Sequence, residues 1–305
     1  MNKWLLAAAL AAIAPALPAI AKPAPITTAF QPTRFSVIVE GEGPDVILIP
    51  GLSSPRRVWD SSAARLNKTH RVHLVQLKGF GEPAGPNASG PVLQPFVDDL
   101  VAYIKANNIQ RPAIVGHSMG GLAALMIATA HPSLPGKLLV VDALPFIGPL
   151  FGAASVDAVR PMAEQMRAML MANAAKTTPD FTAPDCPASL PVPAAPRGTM
   201  TNSGQGTCLV RYGAAASDLR VVGQAMYDDM VTDLTPQLGT IKAPVTLLYP
   251  QDDRLLTAAM ADKIYGDAYA GLQSAKLVPI KGSYHFIMQD QPAAFAAALD
   301  AFLKP

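Results

Sequence analysis

The sequence predicts an α/β fold: a mostly parallel central sheet flanked by helices, interrupted by an inserted, mainly helical cap. Three observations predict it. Short apolar runs without alternation recur along the chain, as in strands buried on both faces. Helical patterns lie between them, which is the signature of βαβ units. Between about Phe146 and Leu238 the strand runs stop.

The elements read in order as follows. Phe35, Val37 and Val39 alternate with smaller or polar positions, and Gly41-Glu42-Gly43-Pro44 makes a turn. Val46–Ile49 is a continuous apolar run closed by Pro50-Gly51. Similar runs are Val72–Leu77, Ala113–Val115, Leu138–Val141 and Val245–Tyr249, with Leu277–Ile280 weaker. Phe96, Leu100 and Ile104 share one helical face. Gly120–Ala130 is almost wholly apolar, as a helix packed on a sheet would be. Pro292 opens a last helix that aligns Phe295, Leu299 and Phe302.

The interrupted region carries a Met-rich helical pattern (Met162, Met166, Met169), a Pro-rich loop from Pro179 to Pro196, and a second helix from about Ser217 to Leu234. A structureless loop of that length usually belongs to a lid or binding element. The expected organisation is therefore a core of residues 22–145 and 239–305, with 146–238 inserted as a cap.

The first 21 residues read as a signal peptide. Lys3 precedes an apolar stretch from Trp4 to Ala14, and Ala19-Ile20-Ala21 is a cleavage pattern. The stretch is short for a membrane span. The mature chain is expected to start near Lys22, without an integral membrane span, and to be exported to a periplasm or beyond the cell. In that setting Cys186 and Cys208 are expected to form one disulfide.

Half of the 305 residues are apolar and 15% are charged, which suits a packed core and not a disordered chain. The formal charge is +2 with no concentrated run of Lys or Arg, so nothing supports nucleic-acid binding. No metal-ligand spacing, phosphate loop or dinucleotide fingerprint is found, and neither metal nor cofactor is expected.

Gly116-His117-Ser118-Met119-Gly120 is a G-x-S-x-G motif with a strand before it and a helix after it. The serine must sit on a sharp, strained turn that exposes its hydroxyl. Side chains at Gly116 and Gly120 would collide across that turn. A serine hydroxyl needs a base, and in the chain order serine, acid, histidine that base is His285, between a late strand and the final helix. The acid candidates are Asp253 and Asp252, after the strand Val245–Tyr249, and Asp142, after Leu138–Val141. The oxyanion-hole amides are expected at Met119, the residue after the nucleophile, and at Leu52, in the loop after an early strand.

At these residues the sequence resembles the α/β-hydrolase superfamily, in its serine-nucleophile esterase and lipase branch. The resemblance runs from about Phe35 to the C-terminus, loosely over the cap. It rests on Leu48-Ile49-Pro50-Gly51, on Leu77-Lys78-Gly79-Phe80-Gly81, on the elbow through Gly121, and on His285 followed by Pro292. The family's Gly-x-x-Asp turn maps onto Pro250-Gln251-Asp252-Asp253, so the resemblance favours Asp253 as the acid. Pro50 stands where the family commonly has His, Pro250 replaces the turn glycine, and Lys78 stands at a frequent Pro.

The function expected is hydrolysis of carboxylic esters, with hydrophobic or acyl substrates, through an acyl-enzyme on Ser118, His285 and Asp253. The same groups could serve amide, thioester or C–C cleavage, or cofactor-free perhydrolysis. A non-catalytic binding protein would predict a damaged triad, and every member here has a candidate.

Overall fold

The computed structural model describes residues 30–192 and 200–304. The signal peptide and its cleavage site, and part of the Pro-rich loop, lie outside the described residues. Seven strands form one sheet: β1 (Phe35–Glu40), β2 (Asp45–Ile49), β3 (Arg71–Leu77), β4 (Ala113–His117), β5 (Lys137–Val141), β6 (Val245–Gln251) and β7 (Lys276–Lys281). Their order is β1-β3-β2-β4-β5-β6-β7. Only β1 runs antiparallel to its neighbour; β2 through β7 are parallel.

The apolar runs become strands because both faces of the sheet are covered. Ile47, Ile49, Val75, Ile114, Leu138 and Val140 belong to one core cluster. Val46, Leu48, Val72, Val115, Leu139 and Val141, alternating with them, belong to the other. A strand buried on both sides has no reason to alternate in polarity.

The helices are α1 (Asp60–Leu66), α2 (Leu93–Ala106), α3 (Met119–Ala130), α4 (Val156–Ala174), α5 (Gly204–Ala215), α6 (Leu219–Met230), α7 (Ala258–Ala268), α8 (Ile287–Asp290) and α9 (Pro292–Leu303). Residues of α2, α3 and α7 pack on the first face, those of α1 and α9 on the second. No helix among the described residues is long and apolar enough to cross a membrane.

The chain between β5 and β6 divides between two places. Val159 and Ala163 of α4 and Met230 of α6 form a small separate core with Phe146 and Ala153. Leu209 of α5 and Cys186 instead join the second face, in the cluster of Trp59 and Phe286. The disulfide Cys186–Cys208 is present, with Cα atoms 5.7 Å apart, and ties the Pro-rich loop to α5. The Met stripe resolves into separate roles: Met166 packs on the small core, whereas Met162 and Met169 are exposed. α5 has no counterpart in the sequence pattern because Gly204, Gly206 and Gly213 dilute its apolar face.

Candidate active site

Ser118 joins β4 to α3 with φ 54° and ψ −128°, a region that non-glycine residues rarely occupy and that marks functional sites. The turn is held from both sides. Ser118 N–H donates to Val141 O at 2.9 Å, while its own carbonyl accepts from Gly121 N at 2.7 Å. A Cβ on Gly116 would lie 2.2 Å from Gly120 O, and one on Gly120 would lie 2.5 Å from Ile49 O. Any side chain at either position would break the turn. Ser118 occupies the cap position of α3, yet its hydroxyl caps nothing.

β4 and β5 are neighbours in the sheet, so their C-terminal ends deliver Ser118 and Asp142 to the same edge. This is the edge at which open parallel sheets bind ligands. Asp142 takes φ 47° directly after β5, and its N–H donates to Leu248 O at 2.8 Å. His285 Nδ1 donates to Asp142 Oδ2 at 2.6 Å, and the Tyr265 hydroxyl from α7 donates to Asp142 Oδ1. Burial, then the Asp142 charge, push the Tyr265 phenol up, so it stays a donor. Both carboxylate oxygens are thereby used, and the imidazole is oriented with Nε2 free for proton transfer.

The expectation that Asp253 pairs with His285 is corrected by this geometry. β6 runs on to Gln251, and the turn after it folds back so that Asp252 N donates to Leu256 O at 3.0 Å. Asp252 accepts from Arg254 N at 2.9 Å and from Arg254 Nη2 at 2.8 Å. The Arg254 guanidinium holds the Asp252 carboxyl below the usual range. Asp253 is exposed and has no side-chain partner among the described residues. The carboxylate that reaches His285 comes from the preceding strand in chain order, at the position of the third candidate.

The loop carrying His285 is fixed by groups that pattern reading does not find. His117, in the elbow itself, is fully buried and donates through Nε2 to His285 O at 3.0 Å. Burial, and then the proximity of His285, hold the His117 ring far below the ordinary histidine range, so it is neutral. Asp290 of α8 accepts from Tyr284 N at 2.7 Å and Asn202 N at 2.9 Å. Phe286 N donates to Met200 O at 3.1 Å, so the segment enclosed by the disulfide clamps the histidine loop.

Gly51 brings the loop after β2 against the elbow: a Cβ there would lie 2.8 Å from Ser118 Cβ. The loop turns through Ser53 at φ 50°, with Ser54 N donating to Gly51 O at 3.2 Å. The Leu52 and Met119 amides are committed to no backbone carbonyl among the described residues. Free N–H groups beside a serine at a helix start can receive developing negative charge.

A cavity of about 260 Å³ opens on Ser118 and His285. Its walls are largely apolar, including Leu122, Leu144, Ile147 and Leu256, and Asp229 of α6 also lines it. The groups could support nucleophilic attack, general-base catalysis and oxyanion binding in one enclosed space.

Comparison with known proteins agrees with this architecture. Residues 46–298 match the model of the alpha/beta hydrolase family. An uncharacterized protein of Mycobacterium tuberculosis is 26% identical over 285 residues, covering 88% of this chain and 78% of that protein. A pimeloyl-[acyl-carrier protein] methyl ester esterase of Aliivibrio fischeri is 32% identical over 106 residues, but the match covers 35% of this chain and only 39% of that enzyme. Among solved structures, an esterase from Exiguobacterium antarcticum superposes with a TM-score of 0.63 at 20% identity, covering 89% of this chain and 96% of that one. The enol-lactonase of Burkholderia xenovorans LB400 gives 0.63 at 19% identity, covering 88% and 96%. At such identities these two structures show the fold alone. With a family model spanning most of its length and this sheet, elbow and cavity, the chain belongs to the alpha/beta hydrolase family.

Proposed function

We propose that the protein is a serine esterase that cleaves carboxylic esters through an acyl-enzyme, with Ser118 as nucleophile, His285 as general base and Asp142 as the acid. The observation that carries this reading is the strained Ser118 beside a His285 ring already oriented by Asp142. Ser118 Oγ attacks the ester carbonyl and His285 Nε2 takes its proton. The Leu52 and Met119 amides receive the oxyanion. His285 then protonates the departing alcohol and activates water to release the acid. Asp142 stabilises the imidazolium formed on the way. No hydrogen bond joins Ser118 Oγ to His285 in this conformation; such contacts commonly tighten only with substrate.

The cavity supports small, predominantly apolar substrates, because about 260 Å³ lies below the ~300–1,000 Å³ of drug-sized ligand sites. From the proposed cap, residues 146–238, Ile147, Leu150, Met200 and Asp229 line the cavity, while α5 packs on the second face of the sheet. The chain is exported by residues 1–21 and works in a periplasm or outside the cell, where the disulfide persists. The test is hydrolysis of p-nitrophenyl esters of increasing acyl length by the chain from Lys22, beside Ser118→Ala. The parent turns over short esters best and the variant loses at least 10³-fold; equal turnover by both would remove Ser118 from the mechanism.

A further inference from the structure

Two adjacent carboxylates at the end of α6 have opposite fates. Asp228 turns toward the core: its Oδ2 accepts from Val92 N at 2.7 Å and Leu93 N at 3.0 Å, at the start of α2, and its Oδ1 accepts from Gln224. Its backbone carbonyl also accepts from the Thr232 hydroxyl at 2.7 Å. These bonds fix the last turn of α6 against the core.

Asp229 thereby lines the cavity that holds Ser118 and His285. Its carboxyl has no hydrogen-bond partner among the described residues. The other carboxylate lining the cavity, Asp142, is committed to His285 and Tyr265, and no Lys or Arg is among the described residues that line it. Burial pushes the Asp229 carboxyl up to about 7; the charge of His285 lowers it and that of Asp228 raises it. A half-buried carboxyl that faces a largely apolar cavity is left unpaired once a ligand displaces solvent, and a ligand that supplies a donor avoids that cost. A purely apolar substrate would leave it unanswered, and an anionic one would be repelled.

We propose that Asp229 is a specificity-determining residue: its carboxylate receives a hydrogen-bond donor carried by the substrate, an ammonium or a hydroxyl, and works against substrates bearing a second carboxylate. The proposal rests on the cavity being the substrate site of the serine hydrolase described above. It deepens that reading from an apolar ester to an ester with a donor group.

The test is equilibrium binding, so that it does not depend on turnover. Butylamine, butanol and butyrate are titrated at pH 8 by calorimetry into full-chain Ser118→Ala and into the same protein carrying Asp229→Asn or Asp229→Ser. Butylammonium is expected to bind best and to weaken about 10-fold in both Asp229 variants. Butanol weakens less, and butyrate binds more tightly once the charge is gone. A larger loss for butanol than for butylammonium identifies a hydroxyl as the donor. Equal changes for all three probes, or no preference for butylammonium or butanol over butyrate in the Ser118→Ala protein, overturn the proposal. Failure of the hydrolase reading would register separately, as ester turnover indifferent to Ser118→Ala.

Discussion

His285 Nδ1 donates to Asp142 Oδ2 at 2.6 Å, across 143 residues of chain. Asp142 is held by its place at the end of a buried strand and by Tyr265, and therefore cannot follow the imidazole elsewhere. Asp142→Asn should lower kcat by about 10³–10⁴-fold, because the amide favours the wrong tautomer of the ring. Asp253→Asn should leave kcat within about twofold. Steady-state kinetics on a p-nitrophenyl ester checks both, and the opposite ranking would return the acid to the loop after β6.

Tyr265 offers a graded version of the same test. Tyr265→Phe removes the donor to Asp142 Oδ1 and keeps the ring. The carboxylate then has one fewer donor and holds the His285 ring less firmly, so kcat should fall by about 3–10-fold with KM little changed. An unchanged kcat with a lowered melting temperature would assign Tyr265 to packing alone.

Much of this arrangement was legible in the sequence, and the losses have a common cause. The strands declared themselves because burial on both faces imposes apolar runs. Ser118 and His285 did so because a strained turn needs Gly116 and Gly120, and because a late loop histidine follows in the required order. The acid did not. Asp142, Asp252 and Asp253 all follow a strand, and only side-chain geometry separates them: Arg254 claims one, solvent another, and His285 with Tyr265 the third. Asp142 did carry a signal, since its strand is the one that pairs with the strand of Ser118. His117 and Asp290 bond to partners far away in sequence, Asp229 lines a cavity, and no local pattern marks them.

His117 and Asp229 should tilt the pH dependence of stability in opposite directions. The His117 ring is held below its unfolded value, so the unfolded chain binds a proton that the folded one refuses. Stability from this site is complete above about pH 6.5 and falls as the pH drops below it. Asp229 is raised from 3.8 to about 7, so the folded chain keeps a proton that the unfolded one has released; stability falls as pH rises through that window. Urea midpoints between pH 4 and 8 should therefore show Asp229→Asn stabilising at pH 8, by roughly 1–3 kcal/mol, and not at pH 4. His117→Gln should flatten the acid side. A variant slope equal to the parent's would remove that residue from the account.

The disulfide closes the segment that grips the histidine loop through Met200, Thr201 and Asn202. Replacing Cys186 and Cys208 by Ser should cost about 3 kcal/mol in unfolding free energy, in proportion to the loop constrained. It should also lower kcat more than KM changes, since the loop orients His285 rather than the substrate. Thermal melts and kinetics of the double variant check this; unchanged kcat would confine the bridge to stability.

Activation of Ser118 as a nucleophile by His285 and Asp142 is open to covalent labelling. The chain is treated with a fluorophosphonate at pH 8, and the modified peptide is mapped by mass spectrometry in the parent, Ser118→Ala and Asp142→Asn proteins. One adduct is expected, on Ser118, absent from Ser118→Ala and formed at least about 10²-fold more slowly in Asp142→Asn. An adduct on another residue, or ester turnover without any adduct at Ser118, would contradict it.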